Sequence, residues 1–135
     1  MRLWHYELIE FLPRQQLLAQ WRELNSIYKK QDNHILINFV YEYDKEELFA
    51  YSRMVISEML RRDYKIKSVE NFINYFGDDF DYYYTRKETC FDNHMNKEYL
   101  KICCWNLYEK YLRGQKGFTP EAIEFIKERG EIVCI

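Results

Sequence analysis

The stretch QQLLAQWREL, residues 15–24, decides the fold. Pro13 stands just ahead of it, where a missing N–H costs a helix nothing. Leu17, Trp21, Leu24 and Tyr28 then recur at helical spacing, with Leu18 and Ile27 at the edges of the stripe. On a wheel at about 100° per residue, Gln15, Ala19 and Arg22 fall on the far side. Gln16 and Glu23 share one line on the border between the faces, within about 20° of each other. The pattern predicts an amphipathic helix. It leaves open why a carboxylate should stand on that border, next to Arg22, so near the beginning of the chain.

Outward from this helix, the remaining segments also read as helical. The run DKEE at 44–47 has the shape of a capping box, with Asp44 as cap and Glu47 three residues on. The helix behind it uses Leu48, Tyr51, Val55 and Met59 as its core stripe, with Leu60 beside them. Basic residues in RRDYKIKS suit its C-terminal dipole. HILINFVYEY, residues 34–43, is β-branched enough for a strand, but no partner strand with turn chemistry lies nearby, so a buried helix is expected. Ser68 and Gly77 bracket a short helix. Asp92 or Asn93 begins a long one that ends near Gly114. FTPEAIEFIKERG carries a Thr cap, a Pro at the first helical position and a closing Gly. The tail EIVCI is expected to pack on the body. The expected architecture is all-α, one domain over residues 1–135 with about four to six helices.

Composition agrees. In 135 residues there are only 4 Gly and 2 Pro, so turn material is scarce, while 13 Tyr and 9 Phe supply a large aromatic core. No apolar run is long enough to span a bilayer, and MRLWHYELIE lacks a signal-peptide stretch, so a cytoplasmic protein is expected; the oligomeric state is left open, with a monomer preferred. The four cysteines form no C-x-x-C pair and read as reduced thiols. Cys90 and His94 make too small a set for a metal, so neither a metal nor a cofactor is expected. Asp78, Asp79 and Asp81 read as a solvated acidic loop. Net charge is −2, which argues against indiscriminate DNA binding, but residues 1–30 hold five basic and three acidic side chains. The aromatic and basic run WNLYEKYLRGQKG reads as a core helix with buried aromatics and solvated cations; stacking on bases is its alternative.

The opening MRLWHYELIEFLPRQQLLAQWREL resembles the start of the phage-type pyrimidine-dimer DNA glycosylase/AP lyase family. The likeness rests on an Arg near the N-terminus, a Gln early in the first helix and the closing Arg-Glu-Leu. ELFAYSRMVISEMLRRDYKI is similar to the family's next long helix, and NHILINF, headed by His34, fits as well. Together these cover roughly residues 1–67. The resemblance implies an all-α enzyme acting on double-stranded DNA with damaged bases. It implies that the terminal α-amine attacks C1′ of the damaged nucleotide, that a Schiff base forms and that β-elimination breaks the strand. The family's carboxylate falls on Glu23, and its DNA-contacting positions on Arg2, Gln15, Arg22 and His34. Because Arg2 blocks removal of the initiator methionine, the amine is that of Met1 after deformylation.

These residue types suit such chemistry on their own terms. An α-amine has a reference pKa about 2.5 pH units below that of lysine, so part of it is an uncharged nucleophile at neutral pH without burial. A neighbouring carboxylate stabilises a cationic sugar or imine and moves protons. Arginine grips phosphate with its planar fork. His5 is open between a place in the site and a hydrogen-bonded structural role. The alternative function is a non-catalytic nucleic-acid- or protein-binding module on the same fold. A different enzyme acting on a small ligand ranks last, since no triad spacing or Gly-rich phosphate loop occurs.

Overall fold

The computed structural model describes residues 2–29, 37–77 and 89–133. Among these lie α1 (Arg14–Lys29), α2 (Lys45–Arg61), α3 (Val69–Phe76), α4 (Lys97–Leu112) and α5 (Pro120–Arg129). Two 3-10 turns, Tyr6–Phe11 and Asn38–Glu42, complete the described elements, and no strand occurs among them. The fold is all-α. Met1, His34 and the aspartates 78, 79 and 81 lie outside the described residues.

The α1 stripe is buried as its spacing predicts. Leu17, Trp21, Leu24, Ile27 and Tyr28 all face the core. There α1 meets α2 and α3, while α4 and α5 pair with each other. The α2 stripe of Leu48, Tyr51, Val55 and Met59 is likewise buried. Leu60 is 58% exposed, because it lies about 100° beyond Met59 around the helix. Tyr28, Phe49, Phe72 and Phe76 make an aromatic cluster, with Tyr28–Phe72 at 5.9 Å and Phe49–Phe76 at 5.1 Å between ring centroids. Edge-on contacts of this kind add to simple burial. Asn71 donates to Asn25 Oδ1 at 2.9 Å and ties α3 to α1.

Several helix boundaries differ from expectation for local reasons. Asp44 caps α2 without a side-chain hydrogen bond, and Glu47 Oε1 accepts from Phe91 N–H at 3.3 Å. Glu47 thus ties α2 to the segment before α4. That helix starts one turn later than Asp92 or Asn93, where Asn96 accepts from Tyr99 N–H at 3.0 Å. Ser68 begins α3 with φ 62° and no side-chain cap bond. In α5, Thr119 accepts from Ala122 N–H at 3.1 Å, as its sequence promised. Within 34–43, the described part is the 3-10 turn at 38–42 rather than an α-helix. In the tail, Ile132 is buried and Val133 is exposed.

Helix α4 departs most from expectation. One side buries Leu100, Cys103, Cys104 and Leu107, yet the other exposes Ile102, Trp105, Tyr111 and Leu112. Trp105 is 50% exposed, so the aromatics of this run are not all core. The buried side approaches α5 closely. A Cβ on Gly130 would lie 2.8 Å from Cys104 Cβ, so only glycine fits this contact.

Candidate active site

The site begins with the backbone of residues 2–5. No strand lies beside this segment among the described residues, and its polar groups are met by side chains from three helices. Gln20 of α1 accepts from Trp4 N–H at 2.8 Å and donates to Arg2 C=O at 3.2 Å. Tyr99 of α4 donates to Leu3 C=O. Tyr51 of α2 lies 2.6 Å from Trp4 C=O and 2.9 Å from Gln20 Oε1. Burial pushes both phenols well above their usual range, so both keep the proton that they donate.

His5 follows and is structural. Its Nδ1 accepts from Glu7 N–H at 3.1 Å and its Nε2 lies 3.0 Å from Met95 C=O. A carbonyl only accepts, so this is the neutral Nε2–H tautomer. Burial lowers its pKa, against smaller opposing effects of Glu7 and the Met95 carbonyl.

Arg2 and Trp4 form one wall of a cleft of about 230 Å³. Gln16, Ala19, Gln20 and Glu23 of α1 form the second wall, and Asn106 and Lys110 of α4 the third. The α1 residues occupy i, i+3, i+4 and i+7 positions, a second stripe beside the apolar one. Gln16 donates to Gln115 Oε1 at 3.3 Å, just past the end of α4. The Arg2 guanidinium carbon stands 5.8 Å from the centre of the Trp4 ring, within cation–π range. Oε2 of Glu23 is shut off from solvent. The border line of α1 thus faces the chain's first residues across a half-open cleft.

Of the residues singled out from sequence, Arg2 and Glu23 meet in this cleft. Gln15 and Arg22 are exposed and do not line it. They share their own line on α1, about 100° from that of Gln16 and Glu23, so they flank the cleft on its Ala19 side. Six lining residues, Trp4, Gln16, Ala19, Gln20, Asn106 and Lys110, were not among the predicted site positions. Gln16 was visible as Glu23's partner on the border. Gln20 and Trp4 gave no signal apart from the core, and Asn106 and Lys110 lie in a helix whose cations were expected to be solvated. Cys90 is buried, and His94 is engaged with the Tyr43 hydroxyl at 2.6 Å and with Glu42 at 3.2 Å. No cluster of three metal-ligating side chains occurs among the described residues. Nor is any described helix long and apolar enough to cross a membrane.

Fold and cleft together define an all-α protein with a narrow polar cleft, of mixed charge, built around its first residues. The family model for pyrimidine dimer DNA glycosylase matches residues 1–71, just over half of the chain. The chain belongs to the pyrimidine dimer DNA glycosylase family. Its family is one of DNA glycosylases, which implies DNA as the substrate. No curated protein and no solved structure matches the chain. The matched span carries Arg2, Trp4, Gln16, Gln20 and Glu23, while Asn106 and Lys110 lie beyond it.

Proposed function

We propose that this chain is a DNA glycosylase with AP lyase activity, acting on pyrimidine dimers or abasic sites in double-stranded DNA. The observation that carries the reading is the meeting of Glu23 and Arg2 in one narrow cleft, inside the family-matched span. Met1 is the covalent neighbour of Arg2, so the proposed nucleophile is the α-amine one residue from the cleft wall. At about 230 Å³ the cleft is smaller than the roughly 300–1,000 Å³ of small-molecule pockets. It suits one sugar rather than a larger ligand.

In this reading the amine lone pair bonds to C1′ and the glycosidic bond breaks, its electron pair leaving with the base. Opening of the sugar ring then gives a protonated imine. Loss of a C2′ proton expels the 3′ phosphate and cuts the strand. At a plain abasic site the same imine forms from the aldehyde with loss of water. Glu23 is the group suited to stabilise the cation and to take the C2′ proton, since a fixed charge with one oxygen shut off from solvent acts more strongly than one in water. Arg2 and Lys110 offer cations to the flanking phosphates. Arg22 and Gln15 offer contacts on the exposed flank, and His34 is retained as a DNA contact by resemblance. The joint contribution of residues 2–23 and α4 to one cleft supports treating 1–135 as a single functional unit.

The test is borohydride trapping on a duplex with one abasic site, followed by peptide mapping of the adduct. The expected result is one DNA strand linked to the Met1 nitrogen. An adduct on Lys110 instead, or none with a verified free amine, would overturn the proposal. The net charge of −2 and a family match that ends at residue 71 favour a second reading, a non-catalytic nucleic-acid- or protein-binding module on the same fold. It predicts no adduct, with salt-sensitive binding of the duplex for a nucleic-acid module and none for a protein-binding one.

A further inference from the structure

Gln20 is a buried polar side chain on a helix whose other buried positions are mostly apolar. Its bonding is nearly complete. A carboxamide oxygen accepts two hydrogen bonds and its nitrogen donates two. The oxygen takes the Trp4 N–H and lies within reach of the Tyr51 hydroxyl, and the nitrogen gives one proton to Arg2 C=O. The oxygen and nitrogen assignments are fixed by their partners, because a backbone N–H only donates and a carbonyl only accepts. At most one N–H is left for the cleft, so Gln20 is poorly equipped to read a substrate. What it grips is the chain's own backbone.

The grip is shared. Three consecutive carbonyls, those of Arg2, Leu3 and Trp4, meet Gln20 from α1, Tyr99 from α4 and Tyr51 from α2. The Tyr51 proton is shared between Trp4 C=O and Gln20 Oε1, which couples two of the three jaws. Satisfying buried backbone groups accounts for some partner at each carbonyl. It does not require that the gripping residue and the cleft acid share one rigid element. Gln20 and Glu23 are one helical turn apart on α1, and both line the same cleft.

We propose that Gln20, supported by Tyr51 and Tyr99, is the positioning residue that sets the distance between the chain start and Glu23. This rests on the glycosylase reading above, since that reading makes the distance matter. A single helix carries both the acid and the grip on residues 2 and 4. Tyr51 and Tyr99 close the grip from α2 and α4, so the placement of residues 2–4 against Glu23 is led by α1 and completed by its neighbours. Errors of about 1 Å in such placement cost on the order of 100-fold in rate.

The test uses the full chain carrying Gln20→Leu, Gln20→Glu or Tyr51→Phe, each checked for wild-type helicity. Trapping on an abasic duplex is measured in single turnover across DNA concentrations, and Trp4 amide exchange by NMR. Gln20→Leu is expected to lower the saturating trapping rate roughly 10- to 100-fold. Its half-saturating DNA concentration should move less than about twofold, since binding and placement are separate terms. Tyr51→Phe, which loses only a hydroxyl, should show the same split more weakly. Gln20→Glu should recover relative to wild type as pH falls, because a protonated carboxyl again offers a donor to Arg2 C=O. Trp4 amide exchange should accelerate in Gln20→Leu. A folded Gln20→Leu that traps at the wild-type rate, or loses only DNA affinity, overturns the proposal. So does unchanged Trp4 exchange, whatever the chemistry. A wild type that traps nothing sinks the glycosylase reading itself and is told apart by the exchange result.

Discussion

Glu23 and Glu58 are both helical carboxylates with arginine close by in sequence, and they have opposite fates. In WREL, Arg22 is adjacent to Glu23, so the two point about 100° apart around α1. In EMLRR, Arg61 and Arg62 follow Glu58 at i+3 and i+4, where helical side chains meet. Arg62 Nε lies 2.6 Å from Glu58 Oε2, and its other nitrogens donate to Leu12 C=O at 2.8 Å and Glu10 C=O at 3.0 Å. Glu58 is only 7% exposed and is held between two guanidinium groups. Glu23 instead faces a cleft with Arg2 and Lys110 across it. Spacing makes Glu58 a carboxylate that staples the end of α2 to the first 3-10 turn, and turns Glu23 toward the cleft.

The sharpest way to break this contrast is to neutralise each carboxylate in turn. Glu23→Gln should lower single-turnover cleavage of an abasic duplex by at least about 100-fold, the usual contribution of a positioned proton-transfer group. Its thermal midpoint should stay close to that of wild type. Glu58→Ala should do the reverse. Removing one member of a buried pair costs about 3–5 kcal/mol when the partner charge is stranded. Arg61 is mostly exposed and Arg62 keeps two carbonyl acceptors, so about 2 kcal/mol is expected, or roughly 6 °C in the midpoint. Cleavage per folded molecule should be unchanged. A Glu58 variant that stays stable and loses cleavage would invert the assignment.

The contrast also marks what the sequence could reveal. Periodicity alone located α1, the α2 stripe and α5, because their apolar spacing and caps act locally. It brought Gln16 and Glu23 to one line, and that line is a wall of the cleft. It could not show what stood opposite. Asn106 and Lys110 join the site from a helix more than eighty residues away in sequence, and no local pattern encodes that approach. Gln20 was hidden for a different reason. A buried carboxamide is legible only when the backbone it serves is in view. The exposure of Trp105 was missed because α4 is apolar on both sides, so its wheel points nowhere.

A smaller effect tests whether the cleft's cations work as a pair with Glu23 or only surround it. Lys110→Ala should weaken duplex binding severalfold, about 1 kcal/mol, and lower the slope of log affinity against log salt by about one. Arg61→Ala, from the closed cluster, should leave that slope unchanged. Titration of the binding constant between low and moderate salt decides it. Equal slopes for Lys110→Ala and wild type would remove Lys110 from the DNA-facing surface.

The smallest effect separates the two regions by pH. His5 anchors the chain start in its neutral form, and burial lowers its pKa from an ordinary 6.5. The unfolded chain then binds the proton more readily, so this part of the stability is whole above about pH 6.5 and declines as pH falls below it. Burial alone would raise the Glu58 pKa from an ordinary 4.5, but hydrogen bonds from Arg61 and Arg62 outweigh it and the net shift is downward. Its contribution therefore persists to lower pH and is lost only as pH falls through the glutamate range and below. Denaturant midpoints followed from pH 8 to pH 3 should descend in two stages. His5→Asn, which keeps an acceptor for the Glu7 N–H, should flatten the upper stage alone, and Glu58→Gln the lower. If His5→Asn leaves the upper descent intact, the imidazole is not what ties the chain start's stability to pH, and the neutral tautomer assigned from its two hydrogen bonds is wrong.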